Sequence, residues 1–267
     1  MTAISAQRRH PLAAAAVLFV TLAVLGTLYA VLAPPSRASS EADSSTQIEE
    51  GRQLFLLGCS SCHGLGGEGQ VQPDGTVLGP SLIGAGAAAV DFQVGTGRMP
   101  AGPPGAQIAR GAVQYSDEQI EALAAYVASL APGPQIPSAT AVDPERGNVA
   151  RGGEIFRTNC AQCHNSSGQG GALSYGKFAP PLAGVEPRHI YEAMLTGPQA
   201  TPIFNDQTLT STEKRDIIAF LTSVEDEPNP GGLGLGRIGP VSEGLWGWLI
   251  GIGALIGTAV WLGAKRS

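Results

Sequence analysis

The 267-residue sequence is short of charged and aromatic side chains, which make up 14% and 6% of it. Lysine and arginine number 16 against 22 acidic residues, so the chain lacks the basic stripe of a nucleic-acid-binding domain, and we expect no nucleic-acid partner. Four cysteines are too few for a disulfide-stapled miniature domain. The apolar share of 43% is too high for a disordered chain, and the length allows about two domains.

Acidic residues are absent from both ends of the chain. All 22 lie between Glu41 and Glu243, and residues 34–243 carry 12 Lys+Arg, which gives this middle part a net charge of −10. The charged residues outside it are all basic: Arg8, Arg9, Lys265 and Arg266. An acidic middle is therefore bracketed by two apolar ends with basic tips.

The first apolar end, residues 11–33, is an uncharged run of 23 residues. A helix of this length is about 35 Å long, enough to cross the hydrocarbon core of a membrane. Arg8 and Arg9 precede it, and the positive-inside rule then places the N-terminus in the cytoplasm. A cleaved signal peptide is the alternative, with a small-residue site at 36–38, but the run is longer than a signal h-region. We expect a retained transmembrane helix.

The second apolar end, residues 244–263, is an uncharged run of 20 residues. All three tryptophans of the chain lie in it, near its two ends, as in the aromatic belts of membrane interfaces. Lys265 and Arg266 follow and place the C-terminus in the cytoplasm as well. The sequence thus predicts two transmembrane helices in the cell membrane, with residues 34–243 on the extracytoplasmic side.

The middle of the chain contains an internal repeat, because three stretches recur in the same order. The matched pairs are 51–64 with 152–165, 79–82 with 179–182, and 125–130 with 219–224. This pattern predicts two homologous domains, over residues 46–131 and 145–228, joined by a proline-rich linker at 131–144.

Each repeat is expected to be helical. Capping boxes begin two helices, Ser116 with Gln119 for one through Leu130 and Thr210 with Glu213 for one to about Val224. Pro187 opens a short helix through Leu195. The apolar helix faces expected to be buried are Ile48, Leu54, Phe55 and Leu57; Ile120, Leu123, Ala124 and Val127; and Ile217, Ile218 and Leu221. No strand alternation stands out, so both domains are predicted to be all-α, and each is small enough to need a bound group in its core.

All four cysteines lie in two Cys-x-x-Cys-His motifs, namely Cys59, Cys62 and His63 and then Cys160, Cys163 and His164. This pattern marks covalent attachment of haem c, in which both thiols bind the vinyl groups and the histidine binds the iron. A zinc site takes cysteine pairs closer together than the 98 residues that separate these, and a thioredoxin-type motif needs a βαβ context. The sequence therefore predicts two covalently bound haem c groups.

Methionine is a common sixth iron ligand in cytochromes c. Besides Met1 the chain has Met99 and Met194. Met99 lies in a Gly- and Pro-containing loop after the first motif, where we expect an exposed side chain with no packing role. We therefore expect Met99 to bind the iron of the first haem, and a core gap-filling role is the alternative.

The Cys-x-x-Cys-His helix, the later Gly-x-Met-Pro loop and the C-terminal amphipathic helix together resemble class I cytochrome c. The doubled arrangement between two membrane anchors, with IYEAMLTGPQ at 190–199, is similar to the dihaem cytochrome c subunit of the actinobacterial-type menaquinol–cytochrome c reductase, the cytochrome bcc complex. The resemblance implies an all-α fold of two tandem class I cytochrome c domains between an N-terminal and a C-terminal transmembrane helix.

The same resemblance implies the function. It is that of an electron-transfer subunit of an oxidoreductase complex, which relays electrons from a Rieske iron–sulfur subunit to a terminal cytochrome oxidase. The cytochrome b subunit would be a further partner, and this chain would carry no catalytic site of its own.

The resemblance breaks at one position in the second domain. That family carries a methionine before the proline of the second loop, and Thr201 lies there in this sequence. The candidates for the sixth ligand of the second haem are Met194, His189 or no protein ligand. Met194 is favoured as the only thioether left in that domain, and His189 is expected to be an ordinary histidine of a helix surface.

Two other functions remain as alternatives. One is a dihaem peroxidase, in which the second haem without its methionine is an open catalytic site. The second repeat shows no obvious distal acid–base set for such an enzyme. The other is the cytochrome subunit of a different membrane dehydrogenase, in which only the electron donor differs.

Overall fold

The structure is a computed structural model that describes residues 11–32, 37–102, 107–227, 234–237 and 240–264. The chain forms two compact units, residues 1–46 and 47–267. The first contains helix α1, Pro11–Leu32, and helix α2, Arg37–Gly58, begins in it and continues into the second unit.

Two helices are long and apolar enough to cross a membrane, α1 and the last helix, α11, Pro240–Ala264. Neither apolar window is buried in the protein, in contrast to the core helix of a soluble domain. Helix α11 begins four residues before the predicted run, and Ala33, the last residue of the first run, lies outside the described residues.

The elements of the two repeats follow the same order. In the first repeat, α2 is followed by α3 (Ser60–His63), β1 (Gln70–Val71), β2 (Val77–Gly79), α4 (Gly86–Gly95) and α5 (Asp117–Leu130). Between the repeats lie α6 (Ala139–Val142) and a 3₁₀ turn (Pro144–Arg146). The second repeat has α7 (Val149–Asn159), α8 (Ala161–His164), β3 (Gly171–Ala172), a 3₁₀ turn (Ser174–Gly176), β4 (Phe178–Ala179), α9 (Pro187–Thr196) and α10 (Ser211–Asp226), and a 3₁₀ turn (Leu235–Arg237) precedes α11.

The strands are the one departure from the all-α expectation. They form one small antiparallel hairpin in each repeat, with Gln70 opposite Gly79 and Gly171 opposite Ala179. Strands of two or three residues are too short to show an alternating pattern, and both hairpins lie directly after a Cys-x-x-Cys-His motif.

The predicted helix starts are confirmed. Both capping boxes form, with the Ser116 and Thr210 side chains each accepting from the backbone N–H three residues on. Helix α5 ends at Leu130, as expected, and α10 ends at Asp226, two residues after the expected Val224.

In each repeat the first and last helices cross at a glycine. A Cβ atom on Gly51 would lie 1.9 Å from the carbonyl oxygen of Ala122, and one on Gly152 would lie 1.8 Å from that of Asp216. Only glycine allows so close an approach of two helix backbones. Aromatic rings pack beside each crossing, Phe55 on Tyr126 at 5.1 Å and Phe156 on Phe220 at 5.4 Å between centroids.

Each repeat has its own apolar core, built on the predicted faces of the last helix. The expected residues of α5 and α10 are buried: Ile120, Leu123, Ala124, Val127, Ile217, Ile218 and Leu221. On α2, Phe55 is buried, while Leu57 is 88% exposed, so its predicted burial is wrong. Residues two positions apart in a helix lie about 200° apart around its axis. Leu57 therefore points away from the side of α2 that holds Phe55.

The two repeats pack against each other through α4 and α9. A Cβ atom on Gly95 would lie 3.1 Å from Nε2 of His189, and Arg188 Nε lies 3.1 Å from Asp91 Oδ2. His189 is 8% exposed, so its expected position on a helix surface is wrong. The sequence could not show this, because the face of α9 that carries His189 is covered by the other repeat.

Candidate haem sites

Each Cys-x-x-Cys-His motif lies on a sharp break between two helices. The backbone φ angles of Cys59 and Cys160 are −125° and −120°, and a new helical turn begins at the next residue. Their carbonyls accept hydrogen bonds from the histidine N–H groups at 3.0 Å and 2.9 Å. Both thiols of a motif and its imidazole are thereby held on one short turn, with nearly the same geometry in both repeats.

A proline carbonyl orients each motif histidine. Nδ1 of His63 lies 2.8 Å from the carbonyl oxygen of Pro80, and Nδ1 of His164 lies 3.0 Å from that of Pro180. A carbonyl only accepts, so Nδ1 carries the proton and the lone pair is on Nε2. This is the tautomer that an iron-ligating histidine needs.

The surroundings of His164, Cys59 and Cys160 favour the neutral form of each side chain. Burial lowers the pKa of His164, which favours neutral imidazole over imidazolium. Burial raises the pKa of the Cys59 thiol and raises that of Cys160 to about 11, with the second cysteine of each motif adding to the shift. The buried thiols are therefore protonated at neutral pH, unlike the low-pKa thiolates of redox enzymes.

The hairpin after each motif leaves room only for a glycine. A Cβ atom on Gly79 would lie 2.5 Å from the carbonyl oxygen of Cys62 and 3.0 Å from Nδ1 of His63. A Cβ atom on Gly171 would lie 2.9 Å from the carbonyl oxygen of Cys163. Each hairpin is therefore pressed against its motif, and this contact holds the proline carbonyl beside the histidine.

A cavity of about 430 Å³ opens at the second motif. Its lining includes Cys160, Cys163 and His164, apolar side chains such as Leu182 and Phe204, and residues of the first repeat. An apolar cavity that contains both thiols and the imidazole is what a covalently attached haem requires, so the residues present fit this group.

Met99 lies at the first site. Its backbone N–H donates to the carbonyl oxygen of Gln93 at 2.9 Å, and its side chain packs against the same apolar core as Cys59 and Leu82. It is half-buried, so the expectation of an exposed methionine without packing contacts is wrong. The loop after α4 folds back on the core and brings Met99 to the side of the domain that holds the first motif.

Met194 and Thr201 both line the cavity of the second site, and so does His189. Met194 is 7% exposed and belongs to the second apolar core. Aligning Thr196-Gly197 with Thr96-Gly97 places Met194 at the position of Val94, which is buried in the first core to the same extent. Among the described residues that line the cavity, Met194 is therefore the one thioether, and Thr201 offers only a hydroxyl.

A buried polar cluster lies beside this cavity, between the repeats. One ligand atom each from Asp91, His189 and Glu192 lie within 4.8 Å of one another, and all three residues are buried. Burial, with Asp91 adding to it, raises the pKa of Glu192 to about 10, so this carboxyl is protonated at neutral pH. Arg188 balances the charge of Asp91, and the cluster is therefore neutral without a cation.

Family models match both repeats. Residues 48–131 match the model described as Cytochrome c, and residues 147–221 match that of cytochrome C oxidase, cbb3-type, subunit III. Both matched ranges contain one Cys-x-x-Cys-His motif and the crossing of the first and last helices. The second description names a subunit that shares this domain, and it is the domain that the match shows.

Relatives named cytochrome bc1 complex cytochrome c subunit match nearly the whole chain. That of Corynebacterium efficiens is 44% identical over 96% of this chain and 90% of its own length. That of Mycobacterium leprae is 46% identical over 93% and 86%, and that of Mycobacterium tuberculosis is 45% identical over 96% and 92%. The protein is a membrane-anchored, haem c-binding electron-transfer chain, and it belongs to the family of cytochrome c subunits of the cytochrome bc1 complex.

Proposed function

We propose that this chain is the dihaem electron relay of a quinol–cytochrome c reductase, with one covalent haem c in each repeat. The proposed domains cover residues 46–131 and 145–228. Electrons enter from a Rieske iron–sulfur subunit and leave to a terminal cytochrome oxidase, and a cytochrome b subunit completes the complex. The observation that carries the proposal is the pair of equivalent haem sites in one chain, packed against each other, in a family of bc1 complex subunits.

Bound haem c supplies a one-electron couple between ferric and ferrous iron. The residues of this chain hold that couple in place. His63 and His164 would present Nε2 to the iron, because the carbonyls of Pro80 and Pro180 fix the proton on Nδ1. The two cysteines of each motif would tie one haem to its short helical turn.

The packing of the repeats favours transfer between the two haems over release of an electron carrier. Phe92 and Gly95 of α4 line the cavity of the second haem, so the first domain borders that cavity directly. Both domains are parts of one chain, and the spacing of their sites is thus set by a packed interface. A separate soluble cytochrome c is unnecessary in such a relay.

The proposed test is affinity isolation of the membrane complex through a tag on this chain. We expect a cytochrome b subunit, a Rieske subunit and a terminal oxidase to copurify. Copurification with a different dehydrogenase would support the alternative in which only the electron donor differs. Isolation of the chain without any other electron-transfer subunit would contradict the relay.

We propose further that Met99 is the sixth ligand of the first haem and Met194 that of the second. Met194 lines the cavity that contains His164, and it occupies the position that Val94 has in the first repeat. Its thioether side chain is longer than valine and therefore reaches further from α9 than valine would from the equivalent helix α4. Thr201 is a poor alternative, because a neutral hydroxyl is a hard ligand.

Two variants of the full chain test this assignment. Met99→Leu and Met194→Leu keep the apolar volume, so each should remove one Met-to-ferric-iron absorbance band and let one reduced haem bind carbon monoxide. If the unsubstituted protein already binds carbon monoxide at one haem, and Met194→Leu changes nothing, the second haem has no methionine ligand. Turnover of peroxide by that protein would then support the peroxidase alternative.

The membrane orientation is the last part of the proposal. The basic residues beside both spans lie at the chain ends, and all acidic residues lie between them, so both termini are cytoplasmic and the haem domains extracytoplasmic. Protease added outside intact spheroplasts should digest the haem domains and spare tags on both termini. Protection of the haem domains from this protease would contradict the orientation, and so would digestion of a terminal tag.

A further inference from the structure

The cavity of the second haem is closed on one side by the first repeat. Residues of two first-repeat segments line it: Phe92 to Arg98, around the end of α4, and Gln107 to Arg110, before α5. The second haem site is therefore built from both domains.

The second of these segments is fixed to the rim of the cavity by hydrogen bonds. The Gln107 amide donates to the carbonyl oxygen of Phe178 and accepts from its N–H, both at 2.9 Å. The N–H of Ile108 donates to Oε1 of Gln199 at 3.1 Å. A side chain of the first domain thus binds backbone of the second, and a side chain of the second binds backbone of the first. These hydrogen bonds hold the segment that carries Arg110 at the cavity.

The charges that line the cavity are distributed unevenly. The arginine and lysine side chains among its lining residues are Arg98 and Arg110, and both belong to the first repeat. The titratable side chains that the second repeat places beside them are His164, His189 and Glu186, besides the two cysteines. The haem-binding domain therefore supplies no permanent positive charge to its own cavity among the described residues.

Among the described residues, these two arginines have no anionic partner. None of the ion pairs among the described residues includes either of them. Arg98 lies over the ring of Phe92 at 4.7 Å and donates to Thr96 Oγ1 at 2.5 Å. Both guanidinium groups line the same cavity, so an anion bound there would be attracted by two positive charges.

Haem c carries two propionates, and planar guanidinium groups are suited to bind carboxylates. We propose that Arg98 and Arg110 of the first repeat bind the propionates of the haem in the second repeat. This inference rests on the proposed function, because it requires a haem in that cavity. It assigns to the first domain a role in positioning the second haem and in setting its potential.

The proposed roles of two adjacent residues link the two haem sites. Arg98 immediately precedes Met99, the proposed iron ligand of the first haem, and both backbone N–H groups donate to the carbonyl oxygen of Gln93. The loop that carries the ligand of one haem thus also carries a counter-charge of the other. Both haems would be positioned by the same short, hydrogen-bonded segment.

The test is a redox titration of the full chain in its membrane complex. Arg98→Gln, Arg110→Gln and the double variant each leave propionate charge uncompensated, which favours ferric iron. We expect the potential of the second haem to fall, with a tenfold change in the ferric-to-ferrous ratio corresponding to about 59 mV for one electron. The double variant should shift more than either single one, and lysine at both positions should restore most of the potential.

The controls separate this inference from the proposed function. Arg146→Gln removes the same charge from an exposed residue outside the cavity and should leave both potentials unchanged. The component of the first haem is identified as the one that Met99→Leu shifts. The mass of the denatured chain must first show two haems, since a chain with one haem would contradict the proposed function itself.

Two results would overturn the inference. One is a double variant that keeps two haems with an unshifted second potential, and the other is a shift confined to the first haem. If Arg98→Gln prevents assembly, Arg110→Gln decides alone, because Arg110 is exposed and its removal leaves the contacts of Phe92 and Thr96 intact.

Discussion

Two backbone carbonyls determine which nitrogen of each motif histidine is free to bind a metal. The motif residues can be identified from the sequence, because thioether formation and iron ligation need two thiols and an imidazole at fixed spacing. The part of Pro80 and Pro180 could not be predicted in the same way. They recur in the repeat, but they act through their carbonyl oxygens, which every residue has.

Two residues whose surroundings differ from the prediction, His189 and Met99, lie where separate parts of the chain meet. His189 is covered by the other domain, and Met99 by the core on which its loop folds back. Helical periodicity gives the face on which a residue lies, but it does not tell what covers that face. Which residues an interface between two domains buries therefore has to be read from a structure.

The buried carboxyl at this interface gives a prediction about pH. Burial and Asp91 raise the pKa of Glu192 from 4.5 to about 10, so between these values the folded chain keeps a proton that the unfolded chain loses. Stability must then fall as the pH rises through this window. Glu192→Gln removes the titration and should lessen that loss by up to about 4 kcal/mol between pH 5.5 and 8.5, since one proton difference changes the unfolding free energy by about 1.4 kcal/mol per pH unit.

Thermal unfolding, followed by haem absorbance at several pH values, measures this slope. Glu154→Gln is the matched control, because Glu154 is exposed and forms no ion pair with the described residues. Equal slopes for the two variants would show that Glu192 is ionised in the folded protein.

The last helix of each repeat, α5 and α10, could be predicted well at the level of elements. Their capping boxes and apolar faces are local features, and both begin where those boxes place them. The hairpins could not be predicted, because their strands of two or three residues exist through contact with the haem-binding turn. Short elements that depend on tertiary contacts leave little signal in the sequence.

The close helix crossing in the first domain predicts that a methyl group added at Gly51 strongly lowers the free energy of unfolding. In Gly51→Ala the new Cβ would lie 1.9 Å from the carbonyl oxygen of Ala122, so α2 and α5 must separate. We expect a loss of about 3 kcal/mol or more of unfolding free energy, at or above the upper end for overpacking, because the atom it meets is backbone.

Denaturant unfolding of the first domain, followed through its haem, measures this loss. Gly102→Ala is the matched control, because a Cβ there meets nothing within 4 Å. If both variants are as stable as the original chain, the two helices do not cross at Gly51.

The chain has two cytochrome c domains, and a candidate membrane helix lies on either side of them in the sequence. Its domain order and anchors could be predicted from the repeat and the apolar runs, since both are global patterns of the sequence. The contribution of the first repeat to the cavity at the second motif could not be predicted, because residues 98 and 110 are distant in sequence from the motif at 160–164.

Covalent haem content tests the duplication at this scale. The denatured chain should have the mass of the polypeptide plus two haems, because each repeat presents two thiols and an imidazole on one turn. Replacing both Cys160 and Cys163 with alanine should remove one haem and leave the first. A chain of this variant that still carries two covalent haems would contradict the assignment of the second site.

The most direct test of the electron relay is the rapid reduction of the purified complex by a quinol, followed in the α-band of haem c. The account predicts that both haems of this chain become reduced, and that removal of the Rieske subunit abolishes the reduction of both. Reduction of only one haem, or reduction of both without the Rieske subunit, would contradict it.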